Sequence, residues 1–202
     1  MPEPQIPPRI PPPGAAAAKT AARDRLLTAR RRLPLTEIGT AARAIAGHLV
    51  ETPEVARAAT IAAYVSVGTE PGTTALLEAL TQAGRRVILP RLLPDGDLDW
   101  GTWRGEQSLA PAKLGLLQPE DSLGVAAIST ADAVLVPGLA VDARGMRLGR
   151  GGGSYDRALG RVPADTFTCV LLYDEEVGVD VPAEPHDRPV RAACSPAGLV
   201  RF

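Results

Sequence analysis

Lysine, cysteine, aromatic residues and long apolar runs are all scarce in this sequence, and each shortage narrows what the chain does. Of the 22 Lys and Arg residues only Lys19 and Lys113 are lysine, and 23 acids balance the total to a formal net charge of −1. A near-neutral chain has no global field with which to draw in nucleic acid or a membrane surface. The aromatics are two Trp, three Tyr and two Phe, which argues against an RNA-binding module. Cys169 and Cys194 stand apart in apolar, strand-like surroundings, and buried free thiols are expected there rather than a disulfide. No apolar run approaches the roughly 18 residues of a membrane span. The N-terminus lacks the basic-then-apolar pattern of a secretion signal. The expectation is a cytoplasmic monomer acting on small molecules, with neither nucleic acid nor membrane as partner.

Proline is plentiful instead, and it marks the first boundary. Seven prolines among residues 1–13 rule out helix and sheet ladder there, so residues 1–14 read as a disordered, polyproline-like tail. Residues 15–202 then form one domain, long enough to bury a substantial core. Strong helix formers run from Ala15 to Leu33 and stop at Pro34, and a second helix follows from Thr36, its candidate N-cap, to about Glu51. A buried strand is expected from Ala59 to Val67, a helix from Thr73 to Ala83 and a strand from Arg86 to Leu89. Strand–helix–strand with short links implies a parallel sheet. Residues 92–130, rich in Pro, Gly and Asp, read as a small hairpin and loop insertion. Strands are expected again at 133–137, 167–172, 191–195 and 198–202, with a helix at 154–160. The fold class is α/β: a Rossmann-like, three-layer domain with a mostly parallel sheet flanked by helices. Ligands bind at the C-terminal strand ends of such sheets, and the turns after Val67 and Pro137 share that edge.

The most informative stretch runs from Asp132 to Leu159. An apolar strand leads to a loop closed by Asp142 and Gly145. Arg147 and Arg150 follow, then Gly151, Gly152 and Gly153, and then Ser154, Tyr155 and Asp156 open a helix. Glycines remove side chains that would hold phosphate oxygens away and permit positive φ. A helix N-terminus contributes only about 0.3–1 kcal/mol toward an exposed anion. A polyphosphate therefore needs Arg147 and Arg150 as well, and a metal near Asp156. No Gly-Lys-Ser/Thr follows, so the loop is not a Walker A element.

Outside this stretch the first helix places Lys19, Arg23, Leu26, Arg30 and Leu33 on one stripe at 100° per residue. Its leucines mark the buried side, so Lys19 and Arg23 end an inward-facing face. Glu70 follows a strand directly, where a carboxylate either caps the next helix or accepts from the two-donor edge of a heterocycle. His186 lacks the His/Cys company of a zinc site, and His48 reads as structural.

Residues 137–159 resemble the signature of the 5-formyltetrahydrofolate cyclo-ligase family, roughly PGLAFD-x-x-G-x-RLGRGGGYYDR-x-L. Val141 replaces its phenylalanine and Ser154 its first tyrosine. Lys19 with Arg23, the Glu70 turn, Val87 to Arg91, Gly115 to Pro119 and Glu184 to Asp187 resemble further family elements. The resemblance implies an ATP- and Mg²⁺-dependent ligase that turns 5-formyltetrahydrofolate into 5,10-methenyltetrahydrofolate. ATP would be held by Lys19, Arg23, Arg147, Leu148, Gly149, Arg150, Gly151, Gly152, Gly153, Ser154 and Tyr155. Arg150, Arg147 and Tyr155 would be catalytic. Glu70, with Gly151, Gly152, Gly153 and Ser154, would contact the folate, and Asp156 and Asp187 would hold the metal. Glu70 and Asp187 are expected to act separably, on folate and on the nucleotide's metal. Two alternatives stand beside this reading. One is an impaired paralogue that binds folate or nucleotide, suggested by Ser154 and by Arg191, where the family often has aspartate. The other is an RNA-binding module using the basic helix and the Arg-Gly-Gly loop.

Overall fold

A computed structural model describes residues 14–202, so the expected proline-rich tail lies outside the described residues except for Gly14. In chain order the elements are α1 (Ala15–Arg30), α2 (Leu35–Glu51), α3 (Pro53–Ala56), β1 (Thr60–Ala62), α4 (Thr74–Gln82), β2 (Arg86–Leu92) and β3 (Leu98–Thr102). Then come β4 (Leu109–Pro111), β5 (Leu117–Pro119), β6 (Ala133–Pro137), β7 (Ala140–Val141), β8 (Arg147–Leu148), α5 (Ser154–Leu159), β9 (Phe167–Leu171), β10 (Ala192–Ser195) and β11 (Gly198–Arg201). One seven-stranded sheet has the order β11-β10-β9-β6-β1-β2-β3. Its five inner strands are parallel, and β11 and β3 close the edges antiparallel.

Successive side chains of a strand point to opposite faces, so the inner strands feed two cores. Ile61, Leu89, Leu135 and Cys169 pack with Leu49 of α2 and Leu77 of α4. Ala62, Ile88, Val134 and Val170 pack the other way, with Ala158 and Leu159 of α5 and with Ile128. This is the expected three-layer α/β arrangement. Strands covered on both faces read as continuous apolar runs, which is why β6 and β9 are conspicuous in the sequence. Both cysteines are buried and free.

Three local expectations change. Thr36 lies inside α2, and the cap position belongs to Pro34. The Pro34 carbonyl accepts the N–H groups of Glu37 and Ile38 at 3.0 and 3.1 Å, and a residue there needs no donor of its own. The strand expected over residues 59–67 shortens to β1, because the chain leaves the sheet to build a loop. In that loop the Ser66 N–H donates to Thr73 Oγ1 at 2.9 Å and the Thr73 N–H to Ser66 Oγ at 3.2 Å. Residues 92–130 are not wholly an insertion, since β3 turns back on β2 as the sheet edge while β4 and β5 pair as a separate ribbon.

α1 docks by charge more than by apolar contact. Its buried residues are Lys19 and Arg30, and Ala22 and Leu26 add partly buried contact with Ala140, Leu148 and Val181. Arg30 Nε and Nη2 both donate to the Glu176 carboxylate at 2.7 Å. A buried guanidinium persists only with such pairing.

The β7–β8 ribbon reverses at Asp142, whose Oδ1 accepts the N–H groups of Arg144 and Met146 at 2.8 and 2.9 Å. Gly145 in this turn has φ of +80°, and a Cβ there would lie 2.2 Å from the Val190 carbonyl oxygen. Gly145→Ala should therefore lower the unfolding free energy by roughly 2–3 kcal/mol in urea titration. An unchanged midpoint would show that the turn accepts a side chain.

Candidate functional site

β1 and β6 are neighbours, yet the chain leaves them in opposite directions, through α4 to β2 and through α5 to β9. Loops that diverge in this way open a crevice at the C-terminal strand ends. Here it is a cavity of about 510 Å³, a size suited to a small-molecule ligand. The loop after β1 supplies Val67 and Glu70, and the segment after β6 supplies Arg147 to Asp156. α1 contributes Lys19 and Arg23, the 184–187 segment contributes Glu184, His186 and Asp187, and Pro90, Leu92, Leu98 and Leu117 form an apolar wall. All the site residues expected from sequence thus meet in one place.

The glycine loop has the backbone that its sequence requires. Gly151 and Gly153 have φ of +103° and +67°, a region that residues with a Cβ avoid. A Cβ on Gly151 would sit 3.4 Å from the Arg23 guanidinium carbon. Arg23 Nε donates to the Gly149 carbonyl at 2.9 Å, tying α1 to the loop. Ser154 lines the cavity, and its Oγ donates to the Gly96 carbonyl at 2.6 Å. Arg147 is buried, donates to Asp156 Oδ1 at 3.0 Å and lies 5.8 Å from the centre of the Tyr155 ring. Burial pushes the Arg147 pKa down and the Tyr155 pKa up. At neutral pH the guanidinium still stays charged and the phenol protonated.

Arg150 is the half-exposed member of the loop. Its Nη2 lies 3.1 Å from Glu70 Oε1 and donates to the Val67 carbonyl at 3.2 Å. Glu70 Oε2 accepts the Val67 N–H at 2.8 Å. The carboxylate therefore closes its own turn and does not cap α4, whose cap position is Thr73. Burial raises the Glu70 pKa, and the Val67 N–H, Arg150 and Arg30 offset only part of that rise.

Across the cavity Lys19 Nζ donates to Glu184 at 2.7 Å and to both Asp187 oxygens at 2.8 and 2.6 Å. Burial alone would lower the Lys19 pKa, but the bonds to Asp187 and Glu184 outweigh it and the pKa rises. Burial would likewise raise Asp187, yet Lys19 and the Glu184 N–H leave it below the usual carboxylate range. Ligand atoms of Glu184, His186 and Asp187 lie within 4.8 Å of one another. Asp156 lines the same cavity outside that trio. Its Oδ1 accepts from Arg147 and from the Arg188 N–H at 3.0 and 3.2 Å. Carboxylate oxygens are the donor class that a hard divalent cation such as Mg²⁺ takes; here Lys19 engages both Asp187 oxygens and one of Glu184, and Asp156 Oδ2 accepts no bond among the described residues.

Other residues fall elsewhere. Arg191 precedes β10 at the opposite end of the sheet, where its side chain donates to the Ala164 carbonyl. His48 Nε2 lies 3.1 Å from the Pro196 carbonyl, consistent with a structural role. Sequence reasoning did not identify the Gly96 carbonyl, the Glu184 carboxylate or the buried Arg30–Glu176 pair. Arg30 was on the inward stripe, but nothing local to Glu176 marks it as the partner of a residue 146 positions away.

The family model described as 5-formyltetrahydrofolate cyclo-ligase family matches residues 15–196. The chain is 40% identical over 176 residues to the 5-formyltetrahydrofolate cyclo-ligase of Mycolicibacterium smegmatis, covering 84% of this chain and 89% of the relative. It is 33% identical over 156 residues to the Escherichia coli K12 protein of the same name, covering 75% and 86%. The NMR structure of Aquifex aeolicus 5,10-methenyltetrahydrofolate synthetase superposes with a TM-score of 0.78 at 25% identity, covering 91% of this chain and 92% of that one. A match that extends over nearly all the described residues, carried on the same fold, places this chain in the 5-formyltetrahydrofolate cyclo-ligase family.

Proposed function

We propose that the chain converts 5-formyltetrahydrofolate to 5,10-methenyltetrahydrofolate, with ATP consumed and ADP and phosphate released. The observation that carries this reading is the contact of the glycine loop with the buried Glu70 turn through Arg150. It brings a glycine loop suited to phosphate and a buried carboxylate acceptor together in one cavity, which supports a reaction between a phosphate donor and a folate. The formyl oxygen is a poor leaving group until the γ-phosphoryl group is transferred to it. The nitrogen at position 10 then attacks the formyl carbon, phosphate departs with the oxygen, and that nitrogen loses its proton. Such chemistry asks a protein mainly for alignment and charge neutralisation.

Arg147, Arg150 and the loop amides would face the transferring phosphoryl group, and Lys19 and Arg23 would hold the rest of the nucleotide. Tyr155, protonated beside Arg147, would orient the reacting groups. Glu70 would accept the ring N–H and amino group of the pterin, with residues 151–154 against the folate. Asp156 and Asp187 would hold Mg²⁺, which supplies shielding of phosphate charge. The reading also sets the chain in the cytoplasm as a monomer, where free Cys169 and Cys194 suit a reducing compartment. No helix of the described residues is long and apolar enough to cross a membrane. Arg191 lies outside the cavity, so its departure from the family pattern gives no reason to expect an impaired enzyme. Ser154 remains a cavity residue.

Methenyltetrahydrofolate absorbance should appear from 5-formyltetrahydrofolate only when ATP and Mg²⁺ are both present; absence of product from the folded protein would overturn the reading. Arg150→Ala should cut turnover roughly 10²- to 10³-fold with the fold intact, and near-normal turnover would remove the loop from the reaction.

Glu70→Gln should weaken folate binding roughly ten- to a hundredfold, as loss of a charged acceptor implies. The Arg150 contact changes what is expected of the nucleotide, since folate and nucleotide groups are paired rather than separate. Freed from a half-exposed ion pair, Arg150 should bind nucleotide up to about fivefold more tightly. Because burial raises the Glu70 pKa, folate affinity should begin to fall, as pH drops, at a pH above the ordinary glutamate range near 4.3. Titration of folate and of an ATP analogue against the Glu70→Gln protein tests both directions, and unmoved folate affinity would take Glu70 out of the folate site.

A further inference from the structure

The buried Arg30 is connected to more than Glu176. Its Nη2 also donates to the Gly138 carbonyl at 2.7 Å, at the first residue after β6. Its guanidinium stacks 5.3 Å from the centre of the Tyr173 ring. The Tyr173 N–H donates to Glu176 Oε2 at 2.9 Å, so the stacked ring and the carboxylate are fixed to one another. The Tyr173 hydroxyl then donates to the Thr69 carbonyl at 3.1 Å, one residue before Glu70. A single unit thereby grips one point on each lip of the crevice. Arg30, Glu176 and Tyr173 are 1%, 5% and 5% exposed, and none of them lines the cavity.

Stability alone does not account for this arrangement. Desolvating two charges often cancels what their attraction returns, and apolar replacements of buried pairs are frequently as stable. What an apolar cluster cannot provide is a directed bond to each of two particular carbonyls. We infer that Arg30, Glu176 and Tyr173 are positioning residues that fix the separation of the two lips, with Tyr173 setting the turn that presents Glu70. The inference rests on the proposed function for the identity of the ligands. Arg30 acts on both lips, through Gly138 and through the Tyr173 ring, whereas the Tyr173 hydroxyl acts only on the Glu70 side.

That asymmetry gives the test. Tyr173→Phe keeps the ring beneath Arg30 and the N–H bond to Glu176, and removes only the bond to Thr69. The dissociation constant for 5-formyltetrahydrofolate should rise roughly three- to tenfold, the loss of one neutral hydrogen bond. The constant for a non-hydrolysable ATP analogue and the unfolding midpoint should stay near wild type. Arg30→Lys keeps the charge but cannot hold Glu176 and Gly138 together, so both constants should rise. If that variant does not fold, Tyr173→Phe decides alone. Unmoved folate affinity in Tyr173→Phe, or equal weakening of both ligands with a lowered midpoint, overturns the inference. Wild-type protein that fails to bind 5-formyltetrahydrofolate overturns the proposed function with it, and the two failures are distinguished by that wild-type measurement.

Discussion

The crevice follows from a constraint on how the chain can connect adjacent parallel strands. β1 and β6 pair directly, but their connections are forced to opposite sides, one toward β2 and the other toward β9. Right-handed crossovers carry the helices to opposite faces of the sheet, and the loops that begin them cannot close over the gap. Every group in the proposed reaction stands on or beside that gap. The local devices serve the same end. Ser66 and Thr73 tighten the loop after β1, Asp142 reverses the chain so that Arg147 re-enters the cavity, and Gly151 and Gly153 bend the backbone toward α5.

The charged groups of the site neutralise one another in pairs. Lys19 is held by Asp187 and Glu184, Arg147 by Asp156, and Arg150 by Glu70. On the proposed assignment, each pair joins a phosphate-binding cation to a carboxylate reserved for metal or folate. A ligand that engages one member frees the other, and linkage requires the effect to be reciprocal. The pairs are not equal in weight. Arg150 is half-exposed, and solvent screens such pairs to less than about 1 kcal/mol. Lys19 and Arg147 are nearly buried, so releasing them requires a ligand that restores the lost bonds.

Much of this was legible in the sequence because it is written in local patterns. β6, β9 and the start of α5 show as an apolar run, another apolar run and a glycine turn, and the inward stripe of α1 follows from spacing alone. The hidden features are those decided by tertiary contact. β1 stops at Ala62 although its apolar character continues to Val67, because the loop geometry, and not propensity, ends it. β3 belongs to the main sheet although its surroundings read as loop. Glu70 reads in sequence as a helix cap or as an acceptor for a heterocycle, whereas in the fold its carboxylate is shared between Val67 and Arg150. Glu176 and Tyr173 sit in an unremarkable acidic turn, and only the fold brings them under Arg30.

α1 shows why one helix can serve both ends of the crevice. Positions 19, 23, 26 and 30 step by four, three and four residues, so they stay on one face at 100° per residue. Lys19 and Arg30 are separated by eleven residues, or about 16 Å along the axis at 1.5 Å per residue. One end meets Asp187 and the glycine loop, and the other meets Gly138 and the support of the Glu70 turn. With so little apolar surface the helix has few interchangeable docking registers. Its two buried cations each have one set of acceptors, and a slip of a single residue would rotate both away from them. The ion pairs therefore fix the register of α1, and with that register the distance between the groups proposed to hold nucleotide and those that support the folate turn.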